Sequence, residues 1–305
     1  MVKMISDSFI YDLKEGALSK ILKYVKADST LQMELRKNGI NIYYRGGSLI
    51  KIKENEANDY TAYFDKNYIT TDDSESVMIQ CIDGINTVEK TKKLIEFIPK
   101  IKQQMDFWMT VKKPNGGERE YQHIVAKENN LGNVGKYSDY FICDIEYDGH
   151  LNKDENYKFD MIGVKWPSNS EARKNNNNLN LCIIGMKYGE KSDLKILSYM
   201  QDIYKFLSYK DKLNNLKEEM KEIYKVKSEL GLIYPYEGVD IDFSNKVEVI
   251  FIFANQNPKQ SSLKEEINEI KEKEIYGILS QIADIKVAKS SFVGYGLYEE
   301  NIISI

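Results

Sequence analysis

Residues 179–188 read LNLCIIGMKY, and residues 247–254 read VEVIFIFA. Both runs are short and almost continuously apolar, which is typical of strands that are buried on both faces of a sheet. The segments between them, 193–209 and 210–230, repeat their apolar residues at helical spacing. Two buried strands joined by a helical crossover predict an α/β sheet.

Further strands and helices flank this unit in the second half of the chain. Residues 140–147 and 158–166 are rich in β-branched and aromatic residues and predict a hairpin that feeds the strand at 179–188. The polar segment 168–178 (SNSEARKNNNN) is expected to be an unpacked surface loop. The remaining predicted elements are a helix over 118–129, a helix over 262–274 and a strand over 285–295. The order α-β-β-β-α-α-β-α-β predicts a sheet with helices on both sides.

The first half of the chain predicts an α+β module. Its predicted elements are a helix over 6–26, a hairpin over 41–52 that turns at Gly46-Gly47, a strand over 60–69 and a helix over 87–108 with a kink or break at Pro99. The segment KKPNGG at 112–117 is the clearest interruption between the halves. We therefore expect an N-terminal module over 1–113 and a C-terminal domain over 114–305.

Composition narrows the class of protein. The 305 residues are 42% apolar and 30% charged, which excludes a wholly disordered chain. The formal charge of −4 provides no global basic field, so any nucleic-acid site must be local. The three Cys share no CxxC spacing and predict free thiols in a reducing compartment. No signal peptide or apolar membrane span is recognisable, so we expect a cytoplasmic protein with no membrane partner. The abundance of Lys, Asn, Ile and Tyr is typical of codon bias in an AT-rich genome and suggests a bacterial source.

Charged residues on three successive predicted strands are the candidates for chemistry. Glu146 lies on the first strand, Asp160 on the second and Lys187 at the end of the third. If paired positions of the hairpin sum to 306, Glu146 lies opposite Asp160. Such carboxylates could bind Mg²⁺, which lowers the pKa of a water that attacks a phosphodiester, while the ammonium offsets charge on the phosphate. Structural alternatives stay open: Asp160 caps a turn, Lys187 extends its amine to solvent from a strand end, and Glu146 protects an exposed edge strand.

The same pattern resembles the PD-(D/E)XK, restriction-endonuclease-like nucleases. The resemblance covers residues 115–295 and rests on a helix, Asp160 on a second strand, and Lys187-Tyr-Gly on a third. In particular, ExxxQHIVxxxNN (118–130), YFICDIEY (140–147), FDMIGVKW (159–166) and IIGMKYG (183–189) are similar to a bacterial group with this core and an extra N-terminal domain. The resemblance implies a mixed sheet flanked by helices, with Mg²⁺ or Mn²⁺ bound by Asp160 and Glu146. It also implies that Lys187 is the motif lysine and that Glu118 or Gln122 assists from the first helix.

One position departs from the family motif. The triplet that should be (D/E)-x-K is Gly185-Met186-Lys187, so an oxygen ligand is missing. Three explanations stay open: another acid has replaced the ligand, the site is inactive and the fold serves binding, or Gly185 is a mutation in this chain. The leading hypothesis is a Mg²⁺-dependent nuclease of bacterial defence or a mobile element, acting on nucleic acid. The alternatives are a non-nuclease phosphoesterase and a catalytically inactive module that binds a protein partner or a second copy of itself.

Overall fold

The computed structural model describes residues 5–56, 58–68, 81–111, 117–131, 135–150, 156–189, 194–235, 238–254, 263–290, 297, 299 and 302–304. The chain divides into two compact units, residues 1–123 and 124–305. The predicted boundary between residues 113 and 114 lies outside the described residues. None of the helices within the described ranges has the length and apolar content needed to cross a bilayer.

The first unit combines a five-stranded antiparallel sheet with helices, as the described residues show. Its helices are α1 (Asp7–Lys14), α2 (Ser19–Ala27) and α3 (Val88–Val111). Its strands, in spatial order, are β1 (Leu31–Arg36), β2 (Gly39–Tyr44), β3 (Gly47–Glu56), β4 (Asp59–Phe64) and β5 (Cys81–Ile85). The α+β character that the sequence predicts for this half is therefore confirmed. Strands β1 and β5 were not predicted, and the strand predicted over 60–69 ends at Phe64. Helix α3 runs through Pro99 without ending there.

The predicted single helix over 6–26 is wrong, because the chain breaks into α1 and α2 near Gly16. A Cβ at Gly16 would lie 1.8 Å from Oδ1 of Asp12. The same Asp12 oxygen accepts a hydrogen bond from the backbone N of Ala17 (3.1 Å), and Oδ2 accepts one from the hydroxyl of Tyr60 (2.7 Å). A buried carboxylate thus satisfies the backbone where the helix stops.

The predicted hairpin in the first unit is confirmed, with its turn one residue earlier than expected. Tyr44 pairs with Gly47, so the loop is Arg45-Gly46. Both loop residues have positive φ (48° and 78°), as a primed two-residue turn requires.

The second unit contains a six-stranded mixed sheet in the described residues. Its strands are β6 (Tyr140–His150), β7 (Asn156–Lys165), β8 (Leu179–Tyr188), β9 (Phe243–Ala254), β10 (Asp284–Ser290) and β11 (Ile302–Ser304), in the order β11-β10-β9-β8-β7-β6. Its helices are α5 (Leu194–Ser208), α6 (Lys210–Leu230), α7 (Leu263–Lys271) and α8 (Glu274–Leu279), while α4 (Gly117–Asn130) contains the boundary between the units. Strands β8, β9 and β10 are mutually parallel, and the rest of the sheet is antiparallel. The α/β sheet flanked by helices is as predicted.

The end of α4 is fixed to the edge of this sheet by an asparagine. The Nδ2 of Asn130 donates to the backbone O of Ile142 (2.8 Å), and its Oδ1 accepts from the backbone N of Ile142 (2.8 Å). The amide therefore pairs with β6 as another strand would, which satisfies backbone groups at a sheet edge. The Asn-Asn pair of the sequence motif has a structural role at this position.

The polar segment 168–178 is a surface loop as predicted, except for Arg173, which packs. Its guanidinium carbon lies 4.6 Å from the ring centre of Phe141 and 5.3 Å from that of Trp166. A planar guanidinium stacks favourably on aromatic faces, so a charged residue can anchor a loop that is otherwise almost wholly polar.

A buried ionic network lies within the same sheet. Glu248 of β9 is 1% exposed and accepts hydrogen bonds from Lys286 (2.9 Å), Asn180 (3.0 Å) and the hydroxyl of Tyr140 (3.0 Å). Although burial raises the pKa of Glu248, the hydrogen bonds from Lys286 and Asn180 lower it, and the net pKa lies below the usual value. Paired in this way, the carboxylate stays ionised inside the sheet.

Candidate functional site

The candidate site lies where β7 and β8 separate. Their regular pairing ends at Met161–Ile184, and the hydroxyl of Tyr199 from α5 lies beyond it. This oxygen accepts a hydrogen bond from the backbone N of Asp160 (2.6 Å) and donates to the backbone O of Ile184 (3.4 Å). The tyrosine thus replaces direct strand pairing and sets the shape of the gap between the strands.

Asp160 spans this gap with its side chain. Its Oδ2 accepts a hydrogen bond from the backbone N of Met186, at 2.7 Å. Asp160 also lines a small recess, to which Lys187 contributes as well. The other lining residues are mainly apolar and include Ile196, Tyr199 and Phe251.

Lys187 lies in this recess with its charge balanced. The side chain is 4% exposed, and its Nζ lies 2.6 Å from Oε2 of Glu266, which is 16% exposed. The ammonium is also 5.6 Å from the ring centre of Phe253. Because a buried ammonium is costly without an anion, Glu266 of α7 explains how Lys187 can remain inside.

Gly185 leaves the space next to its Cα to an aromatic ring. A Cβ built on Gly185 would lie 2.9 Å from Cε1 of Tyr199 and 3.4 Å from Cδ1 of Phe251. The hydroxyl of Tyr199 is held by two backbone groups, which limits how far the ring can shift. A side chain at position 185 thus requires Tyr199 to move.

The structure brings together two of the predicted site residues, Asp160 and Lys187. The predicted hairpin register is also confirmed, because Ile145 pairs with Met161 and Tyr147 pairs with Phe159, on either side of Glu146 and Asp160. Glu146 adopts a positive φ of 52° and is not one of the residues that line the recess.

Glu118 and Gln122, the predicted helix-borne assistants, lie on α4 within the first unit, where Gln122 is 3% exposed. The recess is built from residues of the second unit.

Sequence reasoning missed Glu266 and Tyr199. Glu266 is 79 residues from Lys187 in the chain and lies on a predicted charged helix, where acids usually face solvent. Tyr199 follows Ile196 and precedes Met200 on a predicted helix, next to an apolar stripe in which a tyrosine is unremarkable. The glycine at position 185 raised the question of a replacement acid but gave no signal for where in the chain it would lie.

A divalent cation requires several oxygen or nitrogen donors close together. Within the residues that the structure describes, no three His, Cys, Asp or Glu side chains form a group that could hold a metal ion. Mg²⁺, however, commonly takes one or two carboxylates and completes its shell with water and substrate phosphates. Among the described residues that line the recess, Asp160 is the one that carries a carboxylate, and its Oδ2 already accepts the hydrogen bond from Met186 N.

No family model, curated protein or solved structure matches this chain.

Proposed function

We propose that the second unit is a restriction-endonuclease-like domain that hydrolyses phosphodiester bonds of nucleic acid with Mg²⁺ or Mn²⁺. The observation that carries this proposal is that Asp160 and Lys187, from neighbouring strands, line one recess. The strand order β6-β7-β8, followed by helices and the parallel strand β9, supports the same assignment.

The residues of the recess have separable roles. Asp160 is held by Met186 N and provides carboxylate oxygen to a cation. A divalent cation bound there would lower the pKa of a coordinated water and polarise the phosphoryl oxygens. In the reaction, the water oxygen attacks phosphorus while the P–O bond to the leaving alcohol breaks, and negative charge grows on the phosphate oxygens. Lys187 donates hydrogen bonds to one of these oxygens and offsets that charge. Tyr199 fixes the backbone of Asp160 and therefore the position of its carboxylate.

A cleavage assay tests the proposal. Purified protein is incubated with single- and double-stranded DNA and RNA in Mg²⁺, in Mn²⁺ and in EDTA. We expect metal-dependent cleavage that Asp160→Asn and Lys187→Met abolish and that Asp144→Asn, a change on neighbouring β6, leaves in place. Absence of cleavage by the wild-type protein on every substrate, or cleavage that Asp160→Asn does not reduce, would contradict it.

A second candidate is a nuclease-like domain that binds a partner without cleaving. The packing of Tyr199 against Gly185 favours it, because the usual acid cannot enter there without rearrangement. Under this alternative, the wild-type protein neither binds Mn²⁺ nor cleaves nucleic acid. Calorimetric titration with Mn²⁺ therefore separates the two candidates without depending on the choice of nucleic-acid substrate.

A further inference from the structure

We infer that α7 is a displaceable cover over Lys187, and that Glu266 of this helix makes an autoinhibitory contact which an incoming phosphate group must replace. This inference rests on the proposed function, in which Lys187 contacts phosphate. It adds a closed state in which that contact is blocked, and it requires no cation at the recess.

The position that a phosphate would need at Lys187 is already taken. Oε2 of Glu266 lies 2.6 Å from Nζ of Lys187, and the lysine side chain is 4% exposed. A carboxylate oxygen and a phosphate oxygen are the same kind of charged acceptor for an ammonium group. Because so little of Lys187 is open to solvent, an incoming phosphate can reach the amine when Glu266 moves away.

The attachment of α7 is slight in the residues that the structure describes. Among its described side chains, 265–271, Ile270 is the buried one, whereas Glu266 and Ile267 are partly buried and the others are exposed. A segment that buries so little apolar surface opens locally at a much smaller cost than a central strand does. Phe253, whose ring centre lies 5.6 Å from the Lys187 amine, belongs to β9 inside the sheet. Of these two neighbours of the amine, α7 is therefore the one that can withdraw.

Exchange of Glu266 for a phosphate keeps the charge of Lys187 paired. A buried ammonium without an anion is costly, so α7 stays closed while no competing anion is present. A phosphate group supplies that anion, and the carboxylate of Glu266 becomes solvated as it leaves. The ligand therefore binds the open form, and its apparent affinity is reduced by the small fraction of molecules that are open.

Two substitutions should raise the open fraction by different routes. Glu266→Gln removes the carboxylate from the amine, whereas Ile270→Ala removes the buried apolar contact of α7 and leaves both ion-pairing groups in place. Glu265 is exposed on the same helix. Glu265→Gln is thus the matched control, because it removes one negative charge from α7 without touching the ion pair.

Two measurements in EDTA test the inference. The first is the rate at which acetic anhydride labels Lys187, read by mass spectrometry, which needs no ligand. The second is the dissociation constant of short fluorescein-labelled DNA and RNA oligonucleotides, read by fluorescence anisotropy. We expect Glu266→Gln and Ile270→Ala each to raise the labelling rate and to tighten oligonucleotide binding about tenfold or more, and Glu265→Gln to change both by less than about twofold.

Two further variants and a folding check complete the experiment. Lys187→Met/Glu266→Gln should lose the gain in affinity that Glu266→Gln gives, because the amine that receives the phosphate is gone. Circular dichroism identifies any variant that does not fold. If Glu266→Gln does not fold, Ile270→Ala carries the test.

The outcomes separate this inference from the proposed function. If neither Glu266→Gln nor Ile270→Ala raises the labelling rate of Lys187, α7 is not a displaceable cover and the inference is overturned, even where the wild type cleaves nucleic acid. Equal gains in affinity for Glu266→Gln and Glu265→Gln would also overturn it, since they would reflect charge alone. If labelling rises in both variants while no variant binds or cleaves nucleic acid, the cover over Lys187 stands and the proposed function is wrong.

Discussion

The ion pair between Lys187 and Glu266 allows a quantitative prediction about stability. Glu266→Gln leaves the ammonium of Lys187, only 4% exposed, without the carboxylate that lies 2.6 Å away. Breaking a fully buried pair costs about 3–5 kcal/mol, and because Glu266 is 16% exposed we expect the lower end, about 3 kcal/mol. Lys187→Met leaves the more exposed member of the pair, so about 1.5 kcal/mol is expected.

The double variant should cost less than the sum of its parts. Lys187→Met/Glu266→Gln removes both charges of the pair, so we expect a loss of about 2 kcal/mol and a coupling energy of about 2.5 kcal/mol. Urea unfolding at pH 7, followed by circular dichroism, measures all three free energies, with Glu265→Gln as the control. For a unit of this size, the Glu266→Gln loss corresponds to a fall in Tm of about 6–12 °C. A coupling energy within about 0.5 kcal/mol of zero would refute the buried ion pair.

Three further predictions concern other parts of the chain. Gly16→Ala should destabilise the protein by about 1–3 kcal/mol, because the new Cβ would lie 1.8 Å from Oδ1 of Asp12. An unchanged midpoint of urea unfolding would contradict this account of the helix break. Asn130→Ala should cost about 2 kcal/mol, since both bonds to the backbone of Ile142 are lost, and a loss below 0.5 kcal/mol would contradict their role. Burial, together with nearby Arg119 and Arg36, lowers the pKa of His123 to about 3, so the folded protein keeps this imidazole neutral where the unfolded chain is protonated. The free energy of unfolding should therefore fall as pH drops below about 6.5, by about 2 kcal/mol at pH 5. His123→Phe should remove this loss, whereas the control His150→Gln should keep it. A pH profile of His123→Phe that matches the wild type would contradict the prediction.

The parts of the fold that depend on local pattern could be predicted from the sequence. The apolar runs identified β8 and β9, and the register assumed for the hairpin, in which paired positions sum to 306, is the one that Ile145–Met161 and Tyr147–Phe159 adopt. The break after α1 was missed, since it depends on Asp12 reaching back to the chain rather than on apolar spacing.

The candidate site could be predicted only in part, for a physical reason. Asp160 and Lys187 lie on adjacent strands, so sheet geometry brings them together. Glu266 reaches Lys187 through the packing of a helix 79 residues later, and no local rule gives that contact. The hydroxyl of Tyr199 between two strands is likewise a tertiary arrangement.

The tyrosine that bridges β7 and β8 also limits the evolutionary routes open to this chain. A single base change converts a glycine codon into a glutamate codon, yet at position 185 the new side chain would meet the ring of Tyr199 at once. An acid at position 185 thus requires either a shift of the Tyr199 ring or a smaller residue at position 199. The two sites are epistatic, and relatives that carry an acid at the equivalent of 185 should carry a smaller residue at the equivalent of 199.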